Sequence, residues 1–318
     1  MTTSSAFVIS LDFELMWGVR DHADISSYGA NILGVRAAIP RLLDLFGRFN
    51  IRATWATVGF LFCESKDELL DSFPATLPSY ESSKLSNYSY VDEIGYDEKA
   101  DPYYYGSSLI RLISSCPGQE IGSHSFSHYY CLEPGQTVVQ FAADVDAAVK
   151  VGRRRGIELT SFVFPRNQFA NAHLTVLGQK GFKVFRGNER SWVYRATEGA
   201  RQSKLRRACR LADNYANLTG HHVHQRPASG GVAEVPSSRF LRPYSRRLAS
   251  LDGLRLKRIK SAMSAAASTG QVFHLWWHPH NFGINLEENI GFLRSILMHF
   301  AEQRDKYGMV SARMGDFA

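Results

Sequence analysis

Cysteine is scarce in this sequence. Cys63, Cys116, Cys131 and Cys209 are the only four among 318 residues, and no two of them form a Cys-x-x-Cys pair. A disulfide framework and a cysteine-based structural zinc site both need more closely grouped cysteines. We therefore expect four free thiols.

Long apolar runs and a basic N-terminal segment are also missing. No stretch of about eighteen uncharged apolar residues occurs, which argues against a membrane-spanning helix. Residues Met1–Ser5 carry no basic side chain, and the apolar run that follows is interrupted by Asp12 and Glu14. A secretory signal peptide is not expected from this pattern. We therefore expect a cytoplasmic protein.

Apolar and basic residues are plentiful. Hydrophobic residues make up 44% of the sequence, enough for a large core, and the net charge is +7. Between Arg195 and Lys260, fifteen Lys or Arg residues stand against four acidic residues. Such a basic segment indicates an anionic partner, although a solvated positive surface is the alternative.

The first predicted element is a β-strand from Phe7 to Glu14. Side chains alternate along a strand, so Ser10, Asp12 and Glu14 share one face, opposite apolar residues. Two carboxylates at the end of a strand repel each other and lose solvation unless a cation or a basic side chain compensates them. This pair therefore indicates a functional site.

Helices and strands alternate along most of the chain. An amphipathic helix at 35–50 and a strand at 51–58 follow the first strand, which predicts a parallel βαβ unit in an α/β protein. The alternation is interrupted at 64–105 by a tyrosine-rich connection, which is either a binding loop or a cover for the core. Further strands are predicted at 119–124, 161–167, 182–187 and 271–280, and further helices at 107–115, 137–155, 173–180 and 286–304.

A histidine pair follows the strand predicted at 119–124. His124 and His128 are four residues apart, so their rings can meet on one face of a helical turn and bind one divalent metal ion. Taken alone, this spacing is weak, because a chain with 11 histidines contains such pairs by chance. A second cluster, His221, His222 and His224, is interpreted as loop residues because no carboxylate pattern accompanies it.

Four predicted strand ends thus offer polar side chains: Asp12 with Glu14, His124 with His128, Arg166, and His278. Ser10-Leu-Asp-Phe-Glu14, His124-Ser-Phe-Ser-His128 and Leu275-Trp-Trp-His278 together resemble the motifs of the polysaccharide deacetylase family, also called the NodB homology domain or carbohydrate esterase family 4. The resemblance spans nearly the whole chain. It implies a distorted (β/α) barrel with fewer than eight strands, formed by residues 1–318 as one domain, with a tyrosine-rich insertion at about 64–106 and a basic insertion at about 195–268.

The resemblance also implies a role for each motif residue. Asp12 would be the catalytic base and His278 the catalytic acid, while Arg166 would orient Asp12 through an ion pair. One divalent metal ion, zinc in the first place and otherwise iron, cobalt or nickel, would be bound by Glu14, His124 and His128. The predicted substrate contacts are Tyr104, Asn167, Leu275, Trp277 and His280.

Two motifs depart from the family pattern. The family usually has adjacent aspartates in its first motif, whereas here Phe13 separates Asp12 from Glu14. In the third motif the family places arginine before proline, whereas this chain has Pro165-Arg166. The usual fourth motif is echoed only by Arg186, Asn188 and Trp192.

The expected activity is removal of an N-acyl group, first of all N-acetyl, from an amino sugar of a surface-polysaccharide or lipopolysaccharide precursor in nucleotide- or lipid-linked form. The altered motifs leave open a deacylase of a non-sugar amide or cyclic ureide, and a catalytically inactive carbohydrate-binding relative. Residues 201–260 are predicted to contact an anionic membrane surface, with a basic amphipathic helix at 240–263. Nucleic acid is not expected as a partner, since no recognition motif occurs. The oligomeric state stays open.

Overall fold

The computed structural model describes residues 5–194, 204–227 and 230–318, in which nine strands and eight α-helices alternate. The strands are β1 (Ala6–Phe13), β2 (Ala53–Thr57), β3 (Gln119–Ser123), β4 (Ser161–Phe162), β5 (Val184–Gly187), β6 (Ala233–Pro236), β7 (Arg239–Phe240), β8 (Val272–Trp277) and β9 (Val310–Ala312). The helices are α1 (Ile25–Phe49), α2 (Lys66–Asp71), α3 (Ser107–Ser115), α4 (Val138–Arg154), α5 (Asn171–Gln179), α6 (Lys204–Asp213), α7 (Asp252–Thr269) and α8 (Leu286–Tyr307).

The strands form one parallel sheet in the order β6-β5-β4-β3-β2-β1-β8-β7, and β9 also pairs with β1. Its two edges belong to a single segment, residues 233–240. The first half of this segment pairs with β5 and the second half with β8. Between them, the amide of Ser237 donates to the carbonyl of Gly187 at 2.9 Å and that of Ser238 to the carbonyl of His274 at 2.8 Å. The sheet therefore closes on itself as a distorted barrel.

This closure corrects the expected basic insertion at about 195–268. The segment 233–240 completes the sheet, and α7 packs on α8 and β8. The barrel therefore includes the second half of the region that was predicted to be inserted.

The predicted basic amphipathic helix at 240–263 is also wrong. Phe240 lies in β7, and the helix begins only at Asp252. Two of the basic side chains of this helix, Arg255 and Arg258, are buried and not exposed to a membrane surface. Arg258 donates to the carbonyl of Asp213 and lies 3.7 Å from its carboxylate. Part of the basic charge of this segment therefore forms ion pairs inside the protein.

The core lies between the sheet and its helices. In α1, Ile32, Val35, Ile39, Leu42 and Phe46 are buried at the three- and four-residue spacing of one helix face. The helix begins ten residues before the predicted start. Asp24 caps its first turn by accepting the amide of Ser27 at 2.8 Å, and the first turns have partly exposed side chains and so lack the apolar pattern used for the prediction.

The tyrosine-rich segment covers one side of the barrel mouth. Within it, Tyr88 and Tyr105 are buried, and the amide side chain of Asn87 donates to the carbonyls of Trp17 and Ser127 at 3.1 and 2.7 Å. The four cysteines are free thiols, as predicted. Within the described ranges, no helix combines the length and the apolarity that crossing a bilayer requires.

Candidate metal centre

Polar side chains gather where several parallel strands end. Glu14 directly follows β1, His124 follows β3, and His278 follows β8. Because the carboxyl ends of parallel strands meet at one edge, these residues line a single cleft of about 950 Å³ at the barrel mouth. The sequence-based expectation that strand ends would build one site is thus met by Asp12, Glu14, His124, His128 and His278, all of which line this cleft.

Three of these side chains form a cluster suited to a cation. Glu14, His124 and His128 are all buried, and each offers one ligand atom within 4.8 Å of the others. The Oε2 atom of Glu14 lies 3.1 Å from Nε2 of His128 and 3.5 Å from Nε2 of His124. It is the only such cluster of His, Cys, Asp or Glu in the described part of the chain.

Both imidazole rings are held with the same nitrogen toward the cluster. Nδ1 of His124 lies 2.8 Å from the carbonyl oxygen of Val163, and Nδ1 of His128 lies 3.2 Å from the hydroxyl of Tyr130. Because Nδ1 of each ring is hydrogen-bonded, Nε2 of each ring faces Glu14. Metal-binding histidines are commonly oriented in this way, by a hydrogen bond to the nitrogen that does not bind the metal. Burial lowers the pKa of His128, which favours the neutral imidazole that a metal requires.

The two histidines do not lie on a helical turn, contrary to the prediction. Residues 124–130 form an irregular loop in which Ser125 and His128 have positive φ angles of 60°. Asp144 on α4 holds this loop: its carboxylate accepts the amide of Phe126 at 2.7 Å and that of Ser127 at 3.1 Å. These bonds offset the strained backbone and bring the two ring centroids to 5.0 Å.

Asp12 is paired with Arg186 and not with Arg166. The two guanidinium nitrogens of Arg186 lie 2.6 and 2.7 Å from the two carboxylate oxygens of Asp12. Arg186 also donates to Ser10 Oγ and to Asn167 Oδ1, each at 3.0 Å. Burial acts to raise the pKa of Asp12, but the charge of Arg186 and then those of His124 and His278 bring it below the usual value.

The predicted Arg166–Asp12 pair is therefore wrong. Arg166 has left-handed backbone angles, so its side chain turns to the rim of the cleft. There it pairs with Asp21 and, at 3.4 Å, with Glu133, and it lies over the ring of Tyr130. The sequence contained two indications of Arg186: it is one of the residues that echo the fourth motif, and an arginine inside a short apolar strand needs an internal anionic partner.

His278 and His280 form a stacked pair on the far side of Glu14. Their ring centroids are 4.8 Å apart with an angle of 10°. Nε2 of His278 lies 3.6 Å from Glu14 and 3.8 Å from Asp12, and the ring is partly exposed to the cleft. Burial lowers the pKa of His280 to about 3, so this ring is neutral. Opposite them, burial alone would raise the pKa of Glu14, but His278, His124 and His128 lower it well below its usual range.

Three of the five predicted substrate contacts lie outside the cleft. Leu275 and Trp277 are fully buried in the core, and Trp277 stacks on Phe282. Tyr104, within the tyrosine-rich segment, packs edge-on against Trp17 with ring centroids 4.7 Å apart. Asn167 and His280 do line the cleft.

The aromatic residue of β8 that faces the cleft is Trp276. Strand alternation gives the reason, since Trp276 shares a face with His278 whereas Leu275 and Trp277 share the opposite one. The ring of Phe240, on β7, lies 4.7 Å from that of Trp276 and also lines the cleft. Applied to β8, the alternation used for β1 would have identified Trp276; nothing in the sequence pointed to Phe240.

Similarity to known proteins is confined to structure. No family model matches the sequence, and no curated protein is similar to it in sequence. A structure described as a polysaccharide deacetylase from Mycobacterium smegmatis superposes with a TM-score of 0.60 at 14% identity, covering 99% of this chain and 89% of that one. The chain has the polysaccharide deacetylase fold. The (β/α) barrel implied by the motifs is thereby confirmed, but the expectation of fewer than eight strands is wrong, since eight strands follow one another in the sheet and β9 pairs with β1.

Two further structures agree with this assignment of the fold. One, described as a polysaccharide deacetylase from Pseudomonas aeruginosa PAO1, has a TM-score of 0.57 at 14% identity and covers 98% of this chain and 88% of that one. The other, the allantoinase Puue, has a TM-score of 0.55 at 12% identity, with 98% and 87% covered. At such low identities the likeness concerns the fold alone.

Proposed function

We propose that the protein is a metal-dependent hydrolase that removes an N-acyl group, first of all N-acetyl, from an amino sugar. One observation carries the proposal. A carboxylate and two imidazoles converge in the same cleft as an arginine-paired carboxylate, Asp12, and a partly exposed imidazole, His278. A metal site, a base and an acid are the groups that amide hydrolysis requires.

The residues fit a divalent ion. One carboxylate oxygen and two Nε2 atoms form a three-ligand set that leaves positions for water and substrate, as in zinc hydrolases. Iron, cobalt and nickel accept the same ligands, so zinc is the first candidate and not the only one. When bound, such an ion lowers the pKa of a water molecule and polarises the acyl carbonyl.

Asp12 is placed to accept a proton from the attacking water. Arg186 keeps its carboxylate ionised and fixes both oxygens, so the base has one orientation and one charge state. His278, 3.8 Å from Asp12, is placed to give a proton to the departing amine. The products are a carboxylic acid and a free amino group.

The sugar substrate is supported by the cleft wall and by the neighbouring structures. Phe240 and Trp276 present aromatic faces beside His278, at centroid distances of 5.9 and 5.7 Å, against which a sugar ring can pack. Two of the similar structures are described as polysaccharide deacetylases. We take the substrate to be a precursor of a surface polysaccharide or lipopolysaccharide, processed in the cytoplasm. Arg246, Arg247 and Lys257 are exposed and would make the proposed contact with an anionic membrane.

Metal content and amine release test the proposal together. Purified wild-type protein should contain close to one zinc, iron, cobalt or nickel ion per chain by elemental analysis, and His128→Ala should contain little. The loaded wild type should release amine from an N-acetylated sugar, detected with an amine-reactive dye. Absence of metal after reconstitution, or metal without release from any N-acyl sugar, would overturn the proposal.

A deacylase of a non-sugar amide or cyclic ureide is the second candidate. The allantoinase fold neighbour and the altered first motif favour it. Amine release from simple N-acyl amides and loss of allantoin separate the two candidates; allantoin is followed by chromatography, because opening a cyclic ureide yields a ureido acid and no amine. Preference for a ureide or a simple amide over every N-acyl sugar would select this alternative.

A further inference from the structure

The charged side chains of the cleft are unequally paired. Among the described residues that line it, the acidic ones are Asp12, Glu14, Asp21 and Glu133, and the arginines are Arg166 and Arg207. Asp12 is paired with Arg186, while Asp21 and Glu133 are both paired with Arg166. Glu14 belongs to the metal-binding cluster. Every carboxylate of the cleft therefore has a cationic partner or a metal to bind.

Arg207 is the exception among the cations. It is exposed and lines the cleft, yet it forms no ion pair with any acidic side chain in the described ranges. With two charges from a bound metal ion, Arg166 and Arg207 balance the four carboxylates that line the cleft, and Arg186, paired with Asp12 behind the lining, adds one further positive charge. The cleft is therefore balanced for a ligand that carries negative charge.

The helix that carries Arg207 is fixed relative to the barrel. Asp213, the last residue of α6, is fully buried and accepts the hydroxyl of Tyr194 at 2.9 Å. Its carboxylate lies 3.2 Å from the guanidinium of Arg239 on β7 and 3.7 Å from that of Arg258 on α7. Arg239 directly precedes Phe240, the aromatic residue on the wall of the cleft. Arg207 is thus held on the same side of the barrel as the proposed sugar platform.

The size of the cleft points the same way. Its volume of about 950 Å³ lies at the upper end of the range of roughly 300–1,000 Å³ for small-molecule sites. A single N-acyl sugar would leave much of it unfilled. A substrate with a further group beside the sugar would reach from the metal cluster toward the rim.

We propose that Arg207 binds a phosphate or diphosphate group attached to the N-acyl sugar, and so selects a phosphorylated precursor over a neutral sugar. This inference rests on the proposed deacylase function. Arginine suits the task because its planar guanidinium donates two parallel hydrogen bonds to phosphate oxygens. Arg207 would bind the substrate remote from the reacting bond and take no part in proton transfer.

Calorimetric binding to the metal-loaded protein tests the inference. The probes are N-acetylglucosamine and N-acetylglucosamine 1-phosphate. The phosphorylated sugar should bind about 10- to 100-fold more tightly, the range expected for a charge-assisted contact. Arg207→Ala should bring the ratio of the two affinities close to one, and Arg207→Lys should retain part of the preference for the phosphorylated sugar. Arg153→Ala, which removes an exposed arginine that does not line the cleft, is the matched control and should keep the full preference.

Two results would overturn the inference. Equal affinity of the wild type for the two sugars would remove the phosphate site. A preference that Arg207→Ala leaves intact would mean that phosphate binds elsewhere, above all at the metal. Steady-state kinetics should show the same effect of Arg207→Ala as a higher KM for phosphorylated substrates.

The source of the phosphate is distinguished by comparing UDP-N-acetylglucosamine with a polyprenyl diphosphate-linked N-acetylglucosamine in detergent micelles. Both substrates carry the diphosphate. The substrate with the lower KM shows whether the natural carrier is a nucleotide or a lipid. Failure of the proposed function is separate from failure of this inference: no amine from any N-acyl substrate refutes the former, whereas amine release with no role for Arg207 refutes only the latter.

Discussion

Asp12 and Arg186 form a two-pronged ion pair across the interior of the barrel, with distances of 2.6 and 2.7 Å. Asp12 lies on β1 and Arg186 on β5, and three strands separate them in the sheet order. Both side chains are almost fully buried. Curvature of the sheet, rather than neighbouring positions, brings Asp12 and Arg186 together.

Arg186→Ala should therefore inactivate the protein, while Arg166→Ala should leave much of the activity. Removing one member of a buried ion pair leaves the other charge buried without a partner, which typically costs about 3–5 kcal/mol of stability. Arg166 acts at the rim, on Asp21 and Glu133. Turnover and thermal unfolding of both variants, with Arg186→Lys as the conservative change, check this. An active Arg186→Ala beside an inactive Arg166→Ala would contradict the structure.

Asp12→Asn should abolish turnover but keep the metal, because Asp12 is outside the three-residue cluster. His278→Ala should also keep the metal and lose about 10²- to 10⁴-fold in rate, the usual contribution of an acid or base. Glu14→Gln should lose metal. Elemental analysis beside the amine assay separates these effects, and loss of metal in Asp12→Asn would show that Asp12 is itself a ligand.

Asp144→Asn should weaken metal binding without touching a ligand. The carboxylate holds the loop between the two histidines through the amides of Phe126 and Ser127. Groups that orient metal ligands typically contribute about 10- to 100-fold to affinity. Asp146→Asn is the control, since Asp146 lies on the same helix and pairs with Lys180 at the surface. Competition with a chelator measures the metal affinity of both variants. Equal metal affinities of Asp144→Asn and Asp146→Asn would refute the role of Asp144.

Trp276→Ala should affect substrate binding, whereas Trp277→Ala should affect stability. Trp277 is fully buried, so its loss should cost about 3–5 kcal/mol of unfolding free energy. Trp276 lines the cleft, so its loss should mainly raise KM. Urea unfolding and steady-state kinetics on both proteins test this. The sequence-based choice of Trp277 as a substrate contact would be restored only if its removal raised KM in a protein of unchanged stability.

The protein should lose stability as the pH falls below about 6.5, in part because of His224. This side chain is buried and does not line the cleft. Burial, together with the charge of Arg190, lowers its pKa to about 4, although the carbonyl oxygen of Ser237 lies 3.2 Å from Nε2. The unfolded chain binds a proton at its ordinary pKa of about 6.5 and the folded chain only near 4, so protonation favours unfolding between these values. Urea midpoints at pH 7.5 and 5 should lie closer together in His224→Gln than in the wild type. An unchanged gap would remove His224 from the acid response.

The sequence by itself determined the parallel α/β architecture, the residues of the buried Glu14–His124–His128 cluster and the fold. Apolar periodicity sets strands and helices locally, and the ends of parallel strands share one edge, so Glu14, His124 and His128 were brought together as expected. Helix α3 was predicted to the residue, because its apolar face is buried throughout.

Tertiary structure alone decided how distant residues pair. Whether Arg166 or Arg186 meets Asp12 depends on the curvature of the sheet and on a left-handed backbone at Arg166, neither of which a local pattern contains. The closure of the barrel by residues 233–240 likewise depends on two strands far apart in the chain. Local propensity fixes each element, but packing against all the others fixes which side chains face each other across the site.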